Sequence, residues 1–345
     1  MRIYVLPVSG GGFPAQLGLL REIYRATMTD SEPGITPDLV FASSGGNVAA
    51  YLAMANNWTD VGIIKNGQMV DSNVFVESWT PSFFPTWIAF PMTRSIYRTG
   101  KGVDDLFQSF YTCQSIQKTE IWTGTYNNSS QRAALFCNKS FEEAKIKDNK
   151  VETYIYDSEP LHYLSGNVDT IGKVCYASAS IPYLTPGIII DNERHIDGGV
   201  SYASPLIPMS NYLSQTISRL PAIEKIQIHY FCSYDMSEKF SDSIYSQSIG
   251  LLIHSSLLQD RAFTLSLLRQ YGKVSPSPEV YLKLTTQTLR LLLSQIKEKS
   301  YALFLFPDGS PSVAMTSFRG KDILNVIKTV EKGYNAFLWI LERRL

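Results

Sequence analysis

Three short stretches of this sequence hold residues whose types and spacing suit acyl-transfer chemistry. Ser44 lies in Ala42-Ser43-Ser44-Gly45-Gly46, between an apolar run at 38–42 and a helical pattern at 46–56. A serine at so sharp a strand-to-helix turn is pushed out of the backbone with its hydroxyl exposed. The positive end of the new helix lies beside it and favours developing negative charge. Small neighbours suit the crowding at such a turn, although these five residues alone would also make a plain glycine turn. Ser9-Gly10-Gly11-Gly12 joins a strand expected at 2–8 to a helix expected at 15–28. Backbone N–H groups there can converge on an anion, or the stretch can be a tight turn. A nucleotide loop fits poorly, because G-K-[ST] and G-x-G-x-x-G spacing are both missing. Asp197-Gly198-Gly199 follows a short apolar strand and either turns the chain or sets a carboxylate at a strand end.

Ester hydrolysis needs a nucleophile, a base and donors for the tetrahedral oxyanion. Ser44 supplies the first, and the N–H groups of Gly10, Gly11, Gly12 and Gly45 are candidates for the last. The base is open. A Ser-His-Asp arrangement needs a suitable histidine, and the chain has four: His162, His195, His229 and His254. His229 falls within the strand pattern 226–232 and His254 within an apolar helical pattern, where satisfied structural histidines are the plainer reading. His195 stands two residues before Asp197, where it would share one face of a strand and could tune the aspartate electrostatically. A strand-end Asp-Gly-Gly can also bind Ca²⁺, but no companion carboxylates cluster near it. The expectation is a site with no metal and no cofactor.

Together these motifs resemble the patatin-like phospholipase family: a glycine-rich oxyanion loop after the first strand, a serine elbow, and an Asp-Gly-Gly motif. The resemblance extends to Tyr176-Ala177-Ser178-Ala179-Ser180-Ile181-Pro182, to Thr185-Pro186-Gly187, and to Ser204-Pro205-Leu206. It covers roughly residues 1–235 in order and spacing. It implies a Ser44–Asp197 dyad without histidine, an acyl-enzyme intermediate and lipid ester substrates of the phospholipase A or esterase kind. An aspartate is a weak base in water, with a pKa near 3.9, so the dyad would need its carboxyl partly desolvated. The chain departs from the family pattern at Ala42, where a glycine is usual. Its glycine loop is also shorter, with five residues between Gly12 and Gly18, and Pro14 stands near the usual basic residue.

Positioning these groups requires strands that end together. Strand patterns at 2–8, 38–42, 120–126, 132–137, 153–156, 186–190 and 226–232 alternate with helical patterns at 15–28, 46–56, 103–111 and 168–179. That alternation predicts an α/β fold, three-layered, with a mainly parallel sheet whose carboxyl ends gather the motifs into one crevice. The expected organisation is one domain over 1–345: a core at 1–235, an aromatic insertion at about 62–102 and a mainly helical extension at 236–345. In that extension, helices are expected at 243–271, 284–298 and 321–343, with a short strand at 301–306. Residues 79–92 carry no charge and contain three prolines, with Trp79, Phe83, Phe84, Trp87 and Phe90 as candidate lipid contacts. Arg94, Arg98 and Lys101 follow, so the segment reads either as a membrane-interface dip or as an irregular buried cap.

The 345 residues carry 31 basic and 31 acidic side chains, a net charge of zero that offers no general attraction to nucleic acid. Four cysteines lack metal or disulfide spacing, and Cys175 and Cys232 lie in apolar runs as expected buried thiols. With a strand expected at residue 2 and no apolar run of membrane-spanning length, the expected location is cytoplasmic, with peripheral membrane contact under the first reading of 79–92. Sequons at Asn57, Asn127, Asn128 and Asn138 then carry little meaning. Two other outcomes fit the same residues: a lipid-binding or regulatory protein with impaired turnover, and an acyltransferase.

Overall fold

The structure, a computed structural model, describes residues 2–8, 16, 20, 37–55, 63–65, 68–70, 119–146, 159–182, 185–202, 205–209, 225–230, 279–283, 302–305 and 339–342. The chain begins with β1 (Arg2–Leu6), β2 (Leu39–Ser43) and α1 (Gly45–Ala55), then the hairpin of β3 (Ile63–Lys65) and β4 (Gln68–Val70). β5 (Glu120–Asn127), β6 (Arg132–Cys137), β7 (His162–Tyr163) and α2 (Val168–Ser178) follow. Next come β8 (Ile188–Ile190), β9 (Glu193–Ile196) and a single 3₁₀ turn at Gly198–Val200. The remaining strands are β10 (Lys225–Tyr230), β11 (Glu279–Lys283), β12 (Ala302–Leu305) and β13 (Trp339–Glu342).

Ile3 to Leu6 of β1 and all of β2 are buried, without polar alternation. Continuous apolar strands of this kind mark the interior of a parallel sheet. β1 pairs in parallel with β10 on one side and β2 on the other, and β2 pairs in parallel with β5. The order is β11-β10-β1-β2-β5-β6-β7, with the β8–β9 hairpin attached to the end of β5, giving nine strands. β5 against β6, β5 against β9 and β8 against β9 are the antiparallel pairs. The sheet is therefore mixed and mostly parallel, an α/β architecture.

Helices α1 and α2 touch each other. Val48, Ala49, Ala50, Tyr51 and Ala53 of α1 are all buried, the composition of a helix enclosed on every side. α2 starts at Asn167, whose side chain accepts the Thr170 N–H at 3.1 Å and so satisfies one of the amides left open at a helix start. Trp122, Tyr4, Tyr51, Tyr202, Phe41 and Phe136 are the largest fully buried side chains. Asn127 and Asn138 are buried as well, and both spend their side chains on internal hydrogen bonds rather than presenting a glycan acceptor.

One expectation for the later chain is corrected. Trp339–Glu342, expected at the end of a helix over 321–343, is β13 and pairs antiparallel with β12. Trp-Ile-Leu is an apolar run too short for its period to separate helix from strand, and a neighbouring strand decides the outcome. β11 joins the main sheet in parallel with β10. The strand expected at 186–190 is one arm of a hairpin: Asp191 and Asn192 both take positive φ, at 50° and 67°, and turn the chain into β9. Asp and Asn tolerate that conformation better than other side-chain-bearing residues. The helical patterns at 103–111, 243–271 and 284–298, the strand at 153–156 and residues 79–92 lie outside the described residues. Among those described, no helix is long and apolar enough to cross a membrane.

Candidate active site

Ser44 caps the carboxyl end of β2 and immediately precedes α1. Its φ of 53° lies in the left-handed region, which a residue other than glycine enters at a cost of about 1–3 kcal/mol. The turn throws its side chain out of the strand while its carbonyl accepts the N–H of Asn47 at 3.0 Å, opening the helix. Gly46 explains how the turn can be so tight. A Cβ there would collide with the carbonyl oxygens of Leu6 and Pro7 at the end of β1. The helix start is thereby pressed against the point where the chain leaves β1 toward Gly10, Gly11 and Gly12. Those three glycines lie outside the described residues. Gly45 lies in the first turn of α1, where amides have no acceptor within the helix.

Ala42 and Ser43 belong to β2 and are fully buried, paired across from Thr123 and Gly124 of β5. The positive φ falls on Ser44 and not on Ala42, so an alanine at the first position of the motif introduces no backbone conflict.

Asp197 follows β9 and caps the 3₁₀ turn. Its main-chain N–H donates to the Ser180 carbonyl at 2.9 Å, and its Oδ1 accepts the Gly199 N–H at 2.6 Å. That leaves Oδ2 facing Ser44, whose Oγ donates to it at 2.8 Å. The two residues are 153 positions apart in sequence and are 4% and 5% exposed, so the hydrogen bond is shielded from water. Gly198 makes the approach possible, because a Cβ there would strike the Gly124 carbonyl of β5. Burial pushes the Asp197 carboxyl up to about 7, against the opposing pull of the Gly199 N–H and the Ser44 hydroxyl. A carboxyl so placed is far closer in proton affinity to neutral pH than a free one.

His195 makes its contacts with residues other than Asp197. It lies within β9, and its Nδ1 is 3.0 Å from the Thr125 hydroxyl while its ring meets Phe136 edge-on. Burial lowers its pKa, with Glu159 opposing. His162 is stacked on Phe136 and 3.2 Å from Glu159. His229 lies in β10, and His254 is outside the described residues. Among the described residues, no group of three or more His, Cys, Asp or Glu side chains could hold a metal ion. Cys137 and Cys175 are buried thiols, each held protonated by desolvation. Cys232, Trp79, Phe83, Phe84, Trp87 and Phe90 lie outside the described residues.

Three residues of the arrangement escaped sequence reasoning. Ser178 and Ser180 stand in the Tyr176–Pro182 segment already noted, but nothing in their type distinguishes them from other small helix-end residues. Gly124, in the middle of β5, has close neighbours: a Cβ would come within 2.8 Å of Ser43 Oγ and 2.9 Å of Tyr202. An isolated glycine inside a strand pattern is the one available signal for such an approach.

The chain matches a family model described as patatin-like phospholipase over residues 6–209. A search of curated proteins returned no match. The matched span runs from the last residue of β1 past Asp197 and includes Ser44, α1, α2 and the β8–β9 hairpin, so the chain belongs to the patatin-like phospholipase family of lipid acyl hydrolases.

Proposed function

We propose that this protein cleaves acyl esters of lipids by a two-residue mechanism in which Ser44 is the nucleophile and Asp197 the base. The observation that carries the proposal is the buried 2.8 Å hydrogen bond from Ser44 Oγ to Asp197 Oδ2, made at a strained elbow. Ser44 Oγ attacks the ester carbonyl carbon as its proton passes to Asp197. The carbonyl oxygen takes up the negative charge and is met by the Gly45 N–H and by amides of Gly10, Gly11 and Gly12. Collapse of this intermediate breaks the bond to the alcohol, which leaves with the proton from Asp197, and the acyl group stays on Ser44. Water then attacks the acyl-enzyme, giving its proton to Asp197, and Ser44 leaves with that proton as the acid is released. No step needs a metal, because the amides and the helix start supply the charge stabilisation.

The test is covalent. A fluorescent fluorophosphonate should label the wild-type protein stoichiometrically, and Ser44→Ala should take up no label while keeping its melting temperature. Absence of labelling in folded wild type would sink the hydrolase reading in favour of a lipid-binding role. Gly11→Val and Gly12→Val should lower kcat on a p-nitrophenyl ester by about 10²-fold with little change in KM, the usual size for a lost oxyanion donor. Unchanged kcat in both would mean that the glycines form only a turn.

A further inference from the structure

The carboxyl end of α2 holds both halves of the Ser44–Asp197 pair by their main chains. Ser178, the last residue of α2, is fully buried, and its Oγ accepts the Ser44 N–H at 3.0 Å. The same hydroxyl donates to the Gly124 carbonyl at 2.7 Å. A backbone amide can only donate and a carbonyl can only accept, so the polarity of this hydroxyl has one solution. Its proton points at β5 and a lone pair faces the elbow. Two residues on, the Ser180 carbonyl accepts the Asp197 N–H at 2.9 Å. Gly198, the residue after Asp197, presses on the same hydroxyl: a Cβ there would stand 3.0 Å from Ser178 Oγ.

We propose that Ser178 is a positioning residue for the reaction, clamping the strained main chain of Ser44 to β5 so that its Oγ stays in register with Asp197. The inference rests on the proposed hydrolysis and adds a residue to it. Two consequences follow from the geometry. Without the hydroxyl, the Ser44 N–H and the Gly124 carbonyl lose a shared partner in a buried place, and the left-handed turn loses its nearest restraint. With it, the Ser44 N–H is occupied and is not an oxyanion donor, which leaves that task to Gly45 and the glycine loop.

The experiment measures kcat and KM on p-nitrophenyl butyrate per active site, with sites counted by exhaustive fluorophosphonate labelling. Ser178→Ala should lower kcat per labelled site by on the order of 10²-fold, the scale of a misplaced reacting group, with KM within about twofold. The second-order labelling rate should fall in step. Ser178→Thr, which keeps the hydroxyl, should recover most of the loss. A hydroxyl that served packing alone would change the melting temperature and the number of labelled sites, and leave kcat per site alone. Equal kcat per site in Ser178→Ala and wild type therefore overturns the inference, as does Ser178→Thr failing to exceed Ser178→Ala. Should Ser178→Ala not fold, Ser178→Cys carries the same comparison, since a thiol is a poor acceptor, and wild-type kcat per site in that variant overturns the inference equally. Wild type that neither turns over nor labels would instead refute the hydrolase reading, a result distinguishable from all of these.

Discussion

Glu120 begins β5 and Asp197 stands near its other end, and both carboxylates are buried, at 3% and 5% exposure. Desolvation raises the pKa of each. Their partners differ. Glu120 is held by the Trp122 indole N–H at 2.7 Å and the Lys145 main-chain N–H at 2.8 Å, donors that keep their protons at any ordinary pH. Asp197 has one such donor, Gly199, and one hydroxyl, Ser44, which in the proposed mechanism surrenders its proton as its oxygen attacks a carbonyl. The residues around Glu120 are free of backbone strain, whereas Ser44 takes a positive φ. Burial makes a carboxylate unusual; its partner decides whether the result is a structural tie or a base.

The largest effect should separate the two ends. Ser44→Ala and Asp197→Asn should each lower turnover of a short ester by about 10³-fold or more, and the double variant should be little worse, since groups that act as one unit are not additive. Glu120→Gln should keep kcat within about twofold and lower the melting temperature, because one of the two oxygens that accept these N–H groups becomes an NH₂ donor. A Glu120→Gln variant that folds normally yet loses turnover would erase the contrast.

A tenfold change per pH unit is the next effect. In the proposed mechanism Asp197 acts in its ionised form, so kcat/KM should rise with unit slope below about pH 7 and level above it. Stability should move the other way. A carboxyl whose folded pKa exceeds its unfolded value stabilises the fold below the unfolded pKa, and that contribution is lost as pH rises toward the folded one. Wild type should therefore lose stability relative to Asp197→Asn between about pH 4 and pH 7. Parallel stability curves for the two proteins would mean that Asp197 is not the shifted group.

This contrast was only partly legible in the sequence. The elbow could be read because a serine with Gly45 and Gly46 between an apolar strand and an apolar helix stands in order with a glycine loop before it and an Asp-Gly-Gly after it. Asp197 could be read through its two glycines. The reach from one to the other could not, because it depends on Gly198 lying against Gly124 and on Ser178, none of which carries a periodic or charged signal. The expected tuning of Asp197 by His195 has no hydrogen bond behind it, since the ring of His195 meets Thr125 and Phe136. β13 was missed because three apolar residues fit a helical stripe as well as a strand.

A smaller effect tests the structural end. Trp122→Phe keeps an aromatic ring in the core but removes the N–H that Glu120 accepts. Leaving a buried acceptor short of a donor should cost about 1–3 kcal/mol, read from denaturant midpoints, with a slightly larger loss where Glu120 is ionised. Turnover per labelled site should stay at the wild-type value. A loss of turnover alongside full stability would show that Glu120 communicates with the site along β5.

The smallest effect asks how far the strain at Ser44 spreads. Ala42 lies two residues earlier, inside β2, opposite Leu6 and Thr123, and it is fully buried without positive φ. Ala42→Gly restores the residue usual at this place in the motif. It removes a buried methyl, at about 0.8 kcal/mol, and adds backbone freedom to the unfolded chain, at roughly 0.5–1 kcal/mol. Stability should therefore fall by about 1–2 kcal/mol. kcat should change by less than about twofold, because the strand geometry at this residue is already ordinary and the strained dihedral belongs to Ser44 alone. A gain of tenfold or more in kcat would mean that the alanine distorts the elbow, and the site would then extend into the strand that carries it.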